Sequence, residues 1–143
     1  MTPAIRVSVS NWEHCRNEAV PIRYQVFVEE QQVPVELEQD DHDIVCRHAL
    51  ARTGDGTAIA TGRLLPDGHI GRMAVLTSFR GRGIGSLVLN ALVQEAQRLG
   101  YRHVVLSAQC HARAFYEKHG FIPRGDTYLE AGIPHIEMIL PLV

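Results

Sequence analysis

No apolar run in this 143-residue chain approaches the roughly 20 residues that span a bilayer. The N-terminal MTPAIRVSVSNW also lacks a basic segment followed by an apolar signal core. Together these absences predict a cytoplasmic protein with no membrane partner. Cysteine is scarce: Cys15, Cys46 and Cys110 are odd in number and show no CxxC spacing. That pattern excludes a disulfide framework and a zinc knuckle, and leaves the three as small apolar fillers. A surplus of positive charge is lacking too, since 14 Lys and Arg stand against 16 Asp and Glu for a formal charge of −2. This balance argues against nucleic acid and favours a small-molecule partner. His42 and His48 flank no HExxH or clustered cysteine pattern, so no metal is expected.

What is present is 45% apolar and 21% charged, the composition of one globular domain over residues 1–143. Ile5, Val7 and Val9 alternate with polar residues as in a half-buried strand. Ser10 and Glu13 have the spacing of a capping box for a short helical turn. A second helix is expected over 20–30, because Pro21 is tolerated in a first turn and Ile22 and Val26 recur at helical spacing. Residues 36–43, ELEQDDHD, hold five carboxylates in eight positions and read as a solvated surface loop.

Strands follow at 45–53, 57–65 and 69–76, punctuated by Gly54-Asp55-Gly56 and Asp67-Gly68, and they make an antiparallel meander. From 83 to 99, Ile84, Val88, Ala91, Leu92, Ala96 and Leu99 share one helical face, with Gly100 as the stop. Val104 to Leu106 is a continuous apolar run, expected to lie mid-sheet and parallel to 69–76. A short helix over 111–119 ends at Gly120 and Phe121, and the tail has room for two more strands.

The stretch RMAVLTSFRGRGIGSLVL at 72–89 places strand, glycine loop and helix in succession. Gly81, Gly83 and Gly85 let the backbone approach an anion, with the N–H groups of Gly81 to Ser86, Ile84 among them, and the helix dipole supplying donors and field. Arg80 and Arg82 add charge-assisted bonds. Such turns also occur where helix and strand merely pack closely, but arginines at alternate positions favour anion binding. The loop lacks the GK[ST] ending of a nucleotide P-loop, and no acidic residue follows as a dinucleotide site requires.

These residues resemble the GNAT N-acetyltransferases, whose pyrophosphate loop has the form [RQ]xxGx[GA], matched by Arg80, Gly83 and Gly85. ARAFYEKHGF at 112–121 is similar to the family's second signature, and RYQVFVEEQ, IGRMAV, SAQ and GIPHIEM extend the likeness toward the ElaA-like branch. The resemblance implies an α/β (α+β) fold: a mixed, mostly antiparallel sheet of six or seven strands, with a splayed parallel pair admitting the pantetheine arm of acetyl-CoA. It implies transfer of acetyl from acetyl-CoA to a primary amine of a small molecule or peptide, with the backbone of Met73, Ala74 and Val75 holding pantetheine and thioester. Tyr116 matches the family's general acid, and a phenol, protonated at neutral pH, suits that role. Its alternative is a core aromatic beside Phe115. Where the family often has Asn, seven residues before this Tyr, the chain has Gln109.

For the base, His135 resembles a histidine with that role in related enzymes, and its alternative is a strand histidine bonded to backbone. Glu29, Glu30 and His48, acting through water, are other candidates. Arg23 on the helix expected over 20–30, with Glu30, is placed to hold the substrate, Arg23 binding a carboxylate or phosphate; it equally reads as a surface arginine. Cys110 and His111 are adjacent and diverge, so they make no nucleophile pair. A catalytically idle acyl-CoA sensor would keep the same loop, and an RNA-contacting domain lacks the interleaved aromatics it needs. The C-terminal IEMILPLV either closes the sheet or meets a partner in a homodimer.

Overall fold

The computed structural model describes residues 4–38 and 40–142. The alternation at Val7 and Val9 produces β1 (Arg6–Ser10). The helical region that follows differs from expectation. A single helix replaces the capped turn and the separate helix over 20–30: α1 (Trp12–Arg23) continues without a break as a π-helix, Tyr24–Glu30. Asn11, not Ser10, caps it, its side chain accepting from the His14 N–H at 3.0 Å. Pro21 therefore lies inside the helix and not in a first turn. The missing proline N–H costs about 3 kcal/mol. Burying Ile22 and Val26 against the sheet returns about 1.5–3 kcal/mol each, which is why packing overrides the proline signal.

The acidic segment also departs from its expected solvated state. It forms α2 (Val35–Glu38) and a 3-10 turn, Asp41–Val45, with Glu38 and Asp43 buried. Three guanidinium groups from distant parts of the chain match its carboxylates. Arg23 Nε donates to Glu38 Oε1 at 2.5 Å and its Nη1 to Asp43 Oδ1 at 2.9 Å. Arg63 reaches both oxygens of Asp40 at 2.8 Å, and Arg72 reaches Asp40 at 3.2 Å. Buried carboxylates persist when paired in this way, and a local charge count cannot reveal partners so far along the chain.

The meander is as expected: β2 (Arg47–Arg52), β3 (Ala58–Leu64) and β4 (His69–Val75). Then come α3 (Ile84–Arg98), β5 (His103–Gln109), α4 (Arg113–Lys118), β6 (Ile122–Glu130) and β7 (Ile133–Pro141). Helix α4 stops as its glycine suggests, with Phe121 N–H donating to Tyr116 O at 3.2 Å and Gly120 N–H to Glu117 O at 3.0 Å. The seven strands form one mixed sheet, ordered β1-β2-β3-β4-β5-β7-β6, in which β4 and β5 are parallel and all other neighbours antiparallel. The larger core, including Ile59, Leu64, Val88, Leu92, Val104 and Met138, lies between the sheet and α3. A smaller one, with Cys15, Ala19, Ile22, Val26, Leu50 and Ala74, lies under α1 on the opposite face. Among the described residues, no helix is long and apolar enough to cross a membrane.

Candidate active site

Among the described residues, β4 and β5 pair only at His69↔Val105 and Ile70↔Leu106, then part. On its other edge β5 stays bonded to β7 along its whole length, as far as Gln109↔His135. The strands therefore open like a V, as the resemblance implies. Leu76 N–H donates to Ile59 O on the β3 side at 2.9 Å, so by alternation the preceding carbonyl, that of Val75, turns into the gap. Within β4 the chain carries an irregularity that the sequence did not announce. Arg72 sits at φ +50, and the register with β3 shifts between Thr61 and Arg63. Gly62 lies opposite, where an added Cβ would come within 2.9 Å of Leu92 Cδ1 and 3.0 Å of Met73 Cγ.

At the open end of the gap, Gly81 and Gly83 adopt φ +76 and +77, with Gly83 as the N-cap of α3. Only glycine enters that region without penalty. No backbone N–H from Gly81 to Ser86 donates to a protein acceptor among the described residues. With the positive end of a 15-residue helix behind them, these donors fit a pyrophosphate. Arg82 lies over the Phe79 ring at 5.5 Å, and Ser86 Oγ is 2.9 Å from His119 Nε2. Arg80 is engaged differently from its expected role. Its Nη1 and Nη2 grip Glu30 at 2.5 and 2.8 Å, while Nε donates to Val75 O at 2.9 Å. The hydrogen bond from Arg80 holds the Glu30 carboxyl below the usual range.

The remaining candidates divide between the two faces of the sheet. Tyr116 lies on the α3 and α4 side, edge-on to Phe115 and Phe121, with its hydroxyl 4.0 Å from Met73 Sδ. Burial pushes its pKa up to about 12, so the phenol keeps its proton. On the α1 side, Gln109 Nε2 donates to Gln31 Oε1 at 2.9 Å, joining the end of β5 to the end of the π-helix. Ser107 and Tyr128 share a hydroxyl hydrogen bond nearby. His135 is buried, with Nδ1 2.6 Å from Ile133 O and Nε2 3.3 Å from Glu130 Oε2.

The structure thus brings Arg80, Glu30 and Val75 together at the gap, and places Gln109 beside His135. It puts Arg23 elsewhere: its guanidinium is buried against Glu38 and Asp43, and it offers no open face to an acceptor. His48 is buried with Nε2 on Asp43 O at 2.9 Å, and burial lowers its pKa. Neither Gln31 nor Glu130 carries a motif that marks it in the sequence: Gln31 meets Gln109 from 78 positions away, and Glu130 reaches His135 only through the pairing of β6 with β7.

The model of the acetyltransferase (GNAT) domain matches residues 13–142. The uncharacterized N-acetyltransferase YjcF of Bacillus subtilis is 33% identical over 138 residues, covering 94% of this chain and 99% of that protein. Among solved structures, an acyl-CoA N-acyltransferase from Pseudomonas aeruginosa superimposes with a TM-score of 0.85 at 33% identity, over 95% of this chain and 99% of the other. Escherichia coli ElaA gives 0.84 at 29% identity over the same shares. With the splayed strands, the glycine loop and nearly the whole length in agreement, the chain belongs to the GNAT family of acyl-CoA-dependent N-acetyltransferases.

Proposed function

We propose that the chain moves the acetyl group of acetyl-CoA directly to a primary amine of a small molecule or peptide, with Tyr116 as general acid and His135 as base. The observation that carries this reading is the division of groups across the open gap. The anion loop and Tyr116 belong to the α3 and α4 side, whereas Gln31, Gln109 and His135 belong to the α1 side. Direct attack needs that separation, since donor and acceptor meet from opposite faces.

Acetyl-CoA supplies the activated thioester. The N–H groups of Gly81 to Ser86 and Arg82 hold its pyrophosphate, and the Met73–Val75 strand edge orients the arm beside the gap. A neutral amine is required for attack. Nδ1 of His135 donates to Ile133 O, which leaves Nε2, 3.3 Å from Glu130 Oε2, as the ring nitrogen free to accept a proton. The proton on Tyr116, held firmly by burial, is then available to the departing thiolate.

Calorimetric titration with acetyl-CoA and free CoA, with NAD as control, tests the donor site, and thiol release over an amine panel tests transfer. In Tyr116→Phe, turnover should fall about 100-fold, the usual range for loss of a general acid, with acetyl-CoA affinity unchanged. Unaltered turnover in that variant removes Tyr116 from the chemistry. Binding by wild type with no thiol release from any amine leaves an acyl-CoA-binding module.

A further inference from the structure

We infer that Arg72 and the acidic segment around Asp40 are positioning residues for transfer: they clamp β4 in the bulged register that presents Met73–Val75 to the cleft. The inference rests on the reading of that strand edge as the part that meets the thioester arm.

Strict alternation from Ile70, which faces α3, would send Arg72 into the apolar core and Met73 to the α1 face. Instead Met73 and Val75 pack with Ile70 in the core facing α3, and Ala74 packs under α1. One extra residue, Arg72, has been inserted, and it resets every side chain that follows. Met73 is thereby turned toward the Tyr116 hydroxyl, and the Val75 carbonyl toward the gap.

Arg72 is an unusual residue for that insertion. Its φ of +50 is disfavoured for any residue with a side chain, and the position is not glycine, so the conformation must be held from outside the strand. Three hydrogen bonds do this. Arg72 Nε donates to Glu38 O at 3.1 Å, and Nη2 donates to Leu37 O at 3.1 Å and to Asp40 Oδ2 at 3.2 Å. The clamp is anchored in turn, because Arg63 of β3 holds both oxygens of Asp40 and Arg23 of α1 holds Glu38. On the facing strand, Gly62 leaves the space that the displaced Met73 fills. The acidic segment thus reaches the cleft through the backbone of Arg72 and touches no substrate itself.

Acetyl-CoA titration and thermal melting of a small variant set test the inference. Arg72→Gly and Arg72→Ala lose the same side-chain bonds, but only glycine enters the left-handed region freely. Both should melt below wild type. Arg72→Gly should stay within about twofold of wild-type affinity for acetyl-CoA, and Arg72→Ala should weaken it about tenfold or more. Asp40→Asn should weaken binding as well, and adding Arg72→Gly to it should restore affinity without restoring the melting temperature. Equal loss of affinity in the glycine and alanine variants, or affinity that tracks melting across the set, overturns the positioning role. If Arg72→Ala does not fold, Arg72→Asn against Arg72→Gln makes the same comparison, since Asn tolerates the left-handed region better. Wild type that fails to bind acetyl-CoA overturns the functional reading and this inference together, whereas a binding wild type with matched variants overturns this inference alone.

Discussion

Arg80 shows how one side chain can carry two obligations. Its position before the glycine loop suits an anion, yet its guanidinium is bidentate on Glu30 and its Nε fills the Val75 carbonyl that faces the gap. The pair is part-exposed, with side chains 39% and 40% accessible, so its net contribution to stability is small. Its consequence for binding is larger, because the Glu30 carboxylate competes with a phosphate for the same cation. Glu30→Gln should therefore tighten CoA about three- to tenfold at low ionic strength, and the gain should shrink as salt is added. Calorimetry at two salt concentrations reads both effects. Weaker binding in Glu30→Gln would show instead that the pair orders the loop. As candidates, both residues are legible in the sequence, Arg80 from the glycine-loop pattern and Glu30 from the end of the helix expected over 20–30. That they bind each other is not, since 50 positions separate them.

At the scale of elements, what was legible followed from strong local patterns. The amphipathic run that became α3 and the continuous apolar run that became β5 each carry several residues voting for one structure. The glycines at 120 and 83 mark real boundaries. What stayed hidden depended on partners. The proline in α1 was overridden by burial on the sheet, and ELEQDDHD was neutralised by arginines from three other elements. The β4 bulge is the clearest case, because Arg72 is a poor residue for it and only the clamp explains its conformation. Its partner Gly62 gives a direct test of packing between β3, β4 and α3. A methyl there would meet Leu92, Met73 and Val88 at 2.9 to 3.1 Å. Gly62→Ala should cost about 1–3 kcal/mol in urea unfolding, the usual penalty for overpacking, and should weaken acetyl-CoA by displacing Met73. An alanine variant with wild-type stability would mean that α3 and β4 yield readily.

Over the whole molecule, charge is stored in pairs that tie helices to strands. Arg47 and Arg98 converge on Glu95, as Arg63 and Arg72 converge on Asp40. The hydrogen bonds from Arg98 and Arg47 bring the Glu95 carboxyl from 4.5 down to about 2, and those from Arg63 hold Asp40 well below the carboxylate range. Burial lowers His48 from its ordinary 6.5. In each case the unfolded chain takes up its proton at a higher pH than the folded one, so stability present at neutral pH is lost as pH falls. The melting temperature should start to decline below about pH 6.5, where an unfolded His48 charges, and fall more steeply between about pH 4.5 and 2 as the carboxylates follow. Glu95→Gln should be less stable than wild type by about 2 kcal/mol at pH 7, the worth of hydrogen bonds to a charged group. Its decline below pH 4.5 should be shallower, because the titrating carboxyl is gone. Thermal melts of the two proteins from pH 7 to 2.5 decide the matter: converging curves place the acid sensitivity in Glu95, and parallel curves place it in the Asp40 clamp and His48.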